Sequence, residues 1–283
     1  MLLKLDRLCP LYFLTVMEFA ISTSFNYELK LSENLRAISA AGFKYISLGG
    51  RTGHSDYNKS HGRDKIRRLV QEYGLTIDSV HAPFGPSCDL TQPQEIFARG
   101  AVIEIKRAIQ STCELGVPHL IAHLCGFKPS HLNERLKVIR KTLPEIIKCA
   151  EDNKVIIALE NLNEASMPLF NFAMELSDSP NLGVCYDNGH EMLHSNEYET
   201  VQKYGNRIKV IHLHDNDGIS DLHQIPFEGK LNLPILASRF NKLAKIPRLT
   251  LECEIPNSSY KSTDAFLKAA YDSGLRFKEM LKT

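Results

Sequence analysis

The stretch IHLHDNDGISDLH, residues 211–223, sets His212, His214 and His223 among Asp215, Asp217 and Asp221. Such crowding costs stability unless something uses it, because close carboxylates repel and buried imidazoles need partners. Imidazole and carboxylate together are ligands for a divalent cation. The mixture suits Zn²⁺, Mn²⁺ or Fe²⁺ better than Ca²⁺ or Mg²⁺. On a strand, His212 and His214 point to one face, so either can be the ligand. Asp221 and His223 are also two apart and can reach one ion. Asp215 and Asp217 read instead as turn or supporting residues, since Asn216-Asp217-Gly218 is good turn chemistry.

The same residue types recur at the ends of short apolar runs. His81 ends LTIDSVH, His123 follows PHLIA, and Glu160 ends VIIALE. Asp187 ends LGVCYD with His190 three residues on, and Glu252 and Glu254 end RLTLECE. These runs alternate with helical patterns. Strands are expected over VMEFAIS (16–22), KYISLGG, LTIDSVHAP, PHLIAHLCG, VIIALENLN, LGVCYDNGH, RIKVIHLHDND and RLTLECE. The helices between them include one with Ser32 as its N-cap and Gly42 as its stop. A second has Pro144 marking a kink or break, a third spans EMLHSNEYETVQKYG, and the chain closes on one or two more. Continuous apolar strands fit a parallel sheet buried on both faces. Eight β-then-α units with no domain break specify a single-domain α/β fold, a closed (β/α)₈ TIM barrel over residues 17–283. In that fold the strand ends share one rim, so six consecutive strands deliver His, Asp or Glu to a single mouth. Residues 1–16 read as an N-terminal extension.

Bulk properties narrow the partners. The 283 residues carry a formal charge of +1, and 43% are hydrophobic. This is ordinary globular composition with no basic excess for nucleic acid. One basic run, RTGHSDYNKSHGRDKIRR (51–68), is a solvated loop and helix start, or a phosphate-facing loop through Arg51, Lys59 or Arg63. The seven cysteines are scattered without a C-x-x-C pair, as in a reduced, cytoplasmic protein. The apolar LCPLYFLTV is too short to span a bilayer, and Asp6 argues against a signal peptide. Homo-oligomerisation stays open.

The motifs HAP (81–83), AHLCG (122–126), ALENL (158–162), YDNGH (186–190), HLHDNDGISDLHQIPFEG (212–229) and LTLECE (249–254) occur in this order from Met17 onward. Together they resemble the xylose isomerase-like TIM-barrel superfamily, which includes sugar and sugar-phosphate isomerases and epimerases and endonuclease IV. In the epimerase branch the resemblance implies one divalent ion on Glu160, Asp187, His212 or His214, and Glu252. The two glutamates double there as the acid–base pair. In the endonuclease branch it implies three zinc ions on His81, His123, Glu160, Asp187, His190, His212, Asp221, His223 and Glu252. One departure stands out: the family often reads Gly-Glu-Gly where this chain has Phe227-Glu228-Gly229. The DNA-probing loops of the repair branch are not recognisable.

The expected activity is therefore isomerisation or epimerisation of a sugar, sugar phosphate or related polyol. One to three divalent ions, Zn²⁺ or Mn²⁺, would be required. Glu160 and Glu252 would transfer the proton, His190 would hold a substrate oxygen, and Arg51 would meet a phosphate. The alternative is zinc-dependent hydrolysis of a phosphodiester in abasic DNA, with nucleic acid the less favoured partner.

Overall fold

The computed structural model describes residues 18–193 and 198–282. Eight parallel strands close into a barrel in chain order, with β8 pairing back onto β1. They are β1 (Ala20–Ser22), β2 (Tyr45–Leu48), β3 (Thr76–His81), β4 (His119–Ala122), β5 (Ile156–Glu160), β6 (Leu182–Asp187), β7 (Ile208–Leu213) and β8 (Leu249–Leu251). The helices are α1 (Leu31–Ala40), α2 (Ser60–Glu72), α3 (Glu95–Glu114), α4 (Leu132–Asp152), α5 (Met167–Leu176), α6 (Asn188–Met192), α7 (Glu199–Tyr204), α8 (Leu233–Phe240) and α9 (Thr263–Lys278). The expected extension, residues 1–16, lies outside the described residues. None of the described helices is long and apolar enough to cross a membrane.

Two apolar layers hold the strands. The larger lies between the sheet and the helices, where residues such as Ile46, Val80, Leu120 and Leu159 meet Leu35, Ile66, Ile105 and Ile146. The smaller fills the barrel itself and comprises Ile121, Ala158, Cys185 and Val210, all fully buried. Each member of that inner layer precedes a rim residue by two: His123, Glu160, Asp187 and His212. Strand alternation then lifts the polar side chains directly above an apolar floor.

Several local expectations change. Helix α1 begins at Leu31, not after Ser32, because Glu33 accepts the Lys30 backbone N–H at 3.3 Å and fixes the first turn there. Helix α4 runs unbroken through Pro144; the proline forfeits one backbone bond, and packing of Ile139, Leu143, Ile146 and Ile147 keeps the helix whole. The helix expected over 191–205 is instead the two short segments α6 and α7, with residues 194–197 outside the described set. Helix α6 starts earlier than expected, because Asp187 caps it. The C-terminal segment is one helix.

Candidate metal centre

Glu160 is the hub. It ends β5 with its side chain 1% exposed. Its Oε2 lies 3.2 Å from both His81 Nε2 and His123 Nε2. Its Oε1 lies 3.4 Å from both His190 Nδ1 and His212 Nδ1. The two oxygens therefore face different sets of imidazoles. His81 is oriented by its Nδ1–H, which donates to the Ala82 carbonyl at 2.8 Å and leaves Nε2 to face the hub.

Asp187 ends β6 and caps α6, accepting the His190 backbone N–H at 2.8 Å. One carboxylate thereby sets the direction of the His190 side chain. His190 Nε2 meets Asp221 Oδ2 at 3.1 Å, and the same oxygen lies 3.3 Å from His223 Nε2. His223 is anchored by Nδ1–H donating to the Glu252 carbonyl at 2.7 Å. Its backbone is left-handed, with φ of 48°, a conformation retained at a cost. Glu252 follows β8 and brings Oε2 to 2.8 Å from His212 Nδ1.

Donor atoms within 4.8 Å of one another fall into three rim groups among the described residues: His81, His123 and Glu160; Glu160, Asp187, His212 and Glu252; and His190, Asp221 and His223. Glu160 belongs to the first two. His214 enters none of them. Its Nε2 sits 3.0 Å from Asp187 Oδ1, and its ring stacks on His223 at 4.1 Å, so it braces both neighbours. Arg51 is also apart from these groups: it pairs with Glu28 at 3.5 Å, over the ring of Tyr27. Lys59 pairs with Asp56 and Arg63 with Glu114.

The donor set fits divalent cations. Both ring nitrogens of His212 and Oδ1 of Asp221 are buried without a hydrogen-bond partner. The 2.8 Å approach of His212 Nδ1 to Glu252 is close but not aligned as a hydrogen bond. Buried lone pairs of this kind need a donor or a cation. In the cation-free protein, protons held on the imidazoles offset the charge of the rim carboxylates. Burial alone would lower His190; the charge of Asp187 and the hydrogen bond that His190 donates to Asp221 overcome it and raise it to about 10. His212 and His223 are likewise raised well above the usual imidazole range against burial, His212 by Cys185 and Glu252 and His223 by Asp221. Burial opposes ionisation of Glu160 and Asp187, yet the surrounding imidazoles hold both well below the carboxylate range. His123 is the exception, lowered mainly by burial.

Several positioning residues escape the sequence pattern. Asn161 follows Glu160 and clasps the next strand, accepting Asp187 N–H at 2.8 Å and donating to its carbonyl at 2.9 Å. Asn188 follows Asp187 and repeats the device on His214, at 2.9 Å in both directions. The sequence signal was present: each asparagine directly follows a rim carboxylate. Asp215 orders its loop through the N–H groups of Asn216, Phe227 and Leu231. Phe227, at the position where the family often has glycine, is left-handed with φ of 74°. Two half-exposed rings cover the imidazoles: Phe84 stacks on His123 at 5.4 Å, and Phe127 stands edge-on to His190 at 5.4 Å.

A closed barrel with carboxylates and imidazoles gathered at one mouth defines a class, and sequence comparison agrees with it. Residues 35–278 match the family described as xylose isomerase-like TIM barrel, and the chain belongs to that family. An uncharacterized protein of Sinorhizobium fredii, y4fM, is 27% identical over 285 aligned residues, covering 90% of this chain and 91% of that protein. A probable endonuclease 4 of Staphylococcus carnosus is 25% identical over 193 residues, 62% of each chain. Among solved structures, a D-tagatose 3-epimerase-like protein superposes with a TM-score of 0.78 at 25% identity, covering 93% of this chain and 97% of its own.

Proposed function

We propose that the protein is a divalent-metal-dependent isomerase or epimerase acting on a sugar, sugar phosphate or related polyol by proton transfer beside a carbonyl. The observation that carries this reading is the group Glu160, Asp187, His212 and Glu252. Two carboxylates from β5 and from the end of β8 converge there on one imidazole with all donor atoms within 4.8 Å. A divalent ion held by these four would polarise a hydroxy-carbonyl pair and acidify the adjacent C–H. Glu160 and Glu252 approach from different strands, so one removes the proton and the other returns it on the opposite face. His190, fixed by Asp187 and Asp221, holds a substrate oxygen. The D-tagatose 3-epimerase-like neighbour, similar over almost its whole length, supports the choice of substrate class.

The test is solvent deuterium wash-in on a panel of ketoses, sugar phosphates and inososes, using protein of verified metal content. Exchange at the carbon beside the carbonyl of any member is the expected result. No exchange across the panel overturns the reading.

A second reading rests on its own observation. Glu160 turns its two oxygens to two separate groups, and His190, Asp221 and His223 form a third, the arrangement expected of a three-zinc phosphodiesterase. The near-neutral chain offers little to a polyanionic duplex, which ranks this reading second. Nicking of an abasic-site duplex by zinc-loaded protein would reverse the ranking.

A further inference from the structure

One donor atom lies below the rim carboxylates. Cys185 precedes Asp187 by two residues on β6, so its thiol points into the barrel on the same face. Sheet register pairs it with Glu160. Its three companions in the inner layer, Ile121, Ala158 and Val210, carry no donor. The sulfur, a Glu160 oxygen and a His212 ring nitrogen all lie within 4.8 Å of one another. His212 is 0% exposed, and neither of its ring nitrogens has a hydrogen-bond partner. Its Nδ1 faces the carboxylates of Glu160, Asp187 and Glu252. The other described cysteines, Cys88, Cys113, Cys125, Cys149 and Cys253, enter no donor group.

We propose that Glu160, Cys185 and His212 form a second cation position, one side-chain layer beneath the rim, that takes a thiophilic divalent ion such as Cd²⁺ or Zn²⁺ and refuses Mn²⁺ and Mg²⁺. Selectivity follows from the donors. Sulfur, nitrogen and a single carboxylate in a dry pocket suit a soft or borderline ion, whereas Mn²⁺ and Mg²⁺ favour oxygen and water. As the metal–sulfur bond forms, the thiol proton leaves to solvent. The position shares Glu160 and His212 with the rim group, so an ion in the lower position strips two donors from the upper one. Thiophilic ions therefore displace Mn²⁺ from the rim while occupying a different place. Binding at this lower position is independent of the reaction performed at the rim.

The experiment titrates metal-free, full-length protein with one equivalent of Cd²⁺. It follows the ultraviolet sulfur-to-cadmium charge-transfer absorption and counts retained metal after desalting. Wild type, Cys185→Ser and Cys185→Ala are compared, with Cys113→Ser controlling for the exposed thiol. The expected result is a band in wild type and in Cys113→Ser that vanishes in both Cys185 variants. Cd²⁺ affinity falls about tenfold or more in those variants, and Mn²⁺ affinity stays within about twofold. A band that survives Cys185→Ser, or Cd²⁺ retained by the wild type without a band, overturns the proposal. So does equal weakening of Mn²⁺. Tight Mn²⁺ binding with no sulfur band removes this position and leaves the rim group standing; failure to bind any ion removes both. If both Cys185 variants fail to fold, ¹¹³Cd NMR of the native protein decides, because sulfur ligation moves the resonance far downfield.

Discussion

At the scale of single residues, Glu160 and Glu252 are separable. Glu160 serves three donor groups, two at the rim and the one with Cys185 beneath it, and Glu252 serves one. We predict that Glu160→Gln and Glu252→Gln each slow solvent exchange by about 10²–10⁴, while metal content distinguishes them. Glu160→Gln weakens retention in all three groups that share it. Glu252→Gln weakens retention only in the group with Asp187 and His212. Equal metal content in both variants would mean that Glu160 does not bridge. Proton release is a second residue-scale readout. His190 is raised to about 10 in the cation-free protein, so at neutral pH it holds a proton that a metal must displace from its group. Calorimetric titration with Zn²⁺ in buffers of different ionisation enthalpy should report net proton release, and His190→Asn should reduce it by about one proton. Release unchanged in that variant would assign the raised affinity for protons elsewhere.

At the scale of elements, the rim depends on close approach between α6 and the end of β7. A Cβ on Gly189 would stand 1.9 Å from Cε1 of His214, and the space is closed by a buried ring rather than by a flexible chain end. We predict that Gly189→Ala destabilises by about 1–3 kcal/mol and loosens the His214–Asp187 contact, read by thermal denaturation and by weaker metal retention. Asn161→Ala and Asn188→Ala each leave a buried backbone N–H and carbonyl unpaired. We expect each to cost about 1–3 kcal/mol; a loss within experimental error would show that water replaces the clasp. This scale also shows what the sequence could and could not disclose. Apolar runs ending in His81, Glu160 and Asp187 revealed the strands and their rim, because strand alternation is local and the β-then-α unit repeats along the chain. The choice between His212 and His214 was closed to pattern reading, since both share a face; geometry brings His212 into the carboxylate group and sets His214 behind Asp187. The roles of Asn161, Asn188, Gly189 and Cys185 depend on which residue lies across the sheet, and register is not written along one strand.

At the scale of the whole molecule, the rim is a store of like charge that either protons or cations must neutralise, and this fixes how stability responds to pH. His190 has its folded value raised to about 10 from an ordinary 6.5. The stability it contributes to the cation-free protein is fully present below 6.5 and is lost as pH rises toward 10, because the folded chain then holds a proton that the unfolded chain has released. His212 and His223, also raised, act in the same direction. Glu160 and Asp187 are lowered, so their contribution is present at neutral pH and is lost only in acid. A cation-loaded protein would behave oppositely over the alkaline window: its imidazoles would already be neutral ligands, and less proton competition would tighten binding. We therefore predict that the difference in melting temperature between metal-loaded and chelator-treated protein widens steadily from pH 6.5 to about 9.5. The check is a pair of calorimetric melts at each pH with free metal held constant. A gap that is flat or that narrows with rising pH would show that the cations do not bind through these imidazoles.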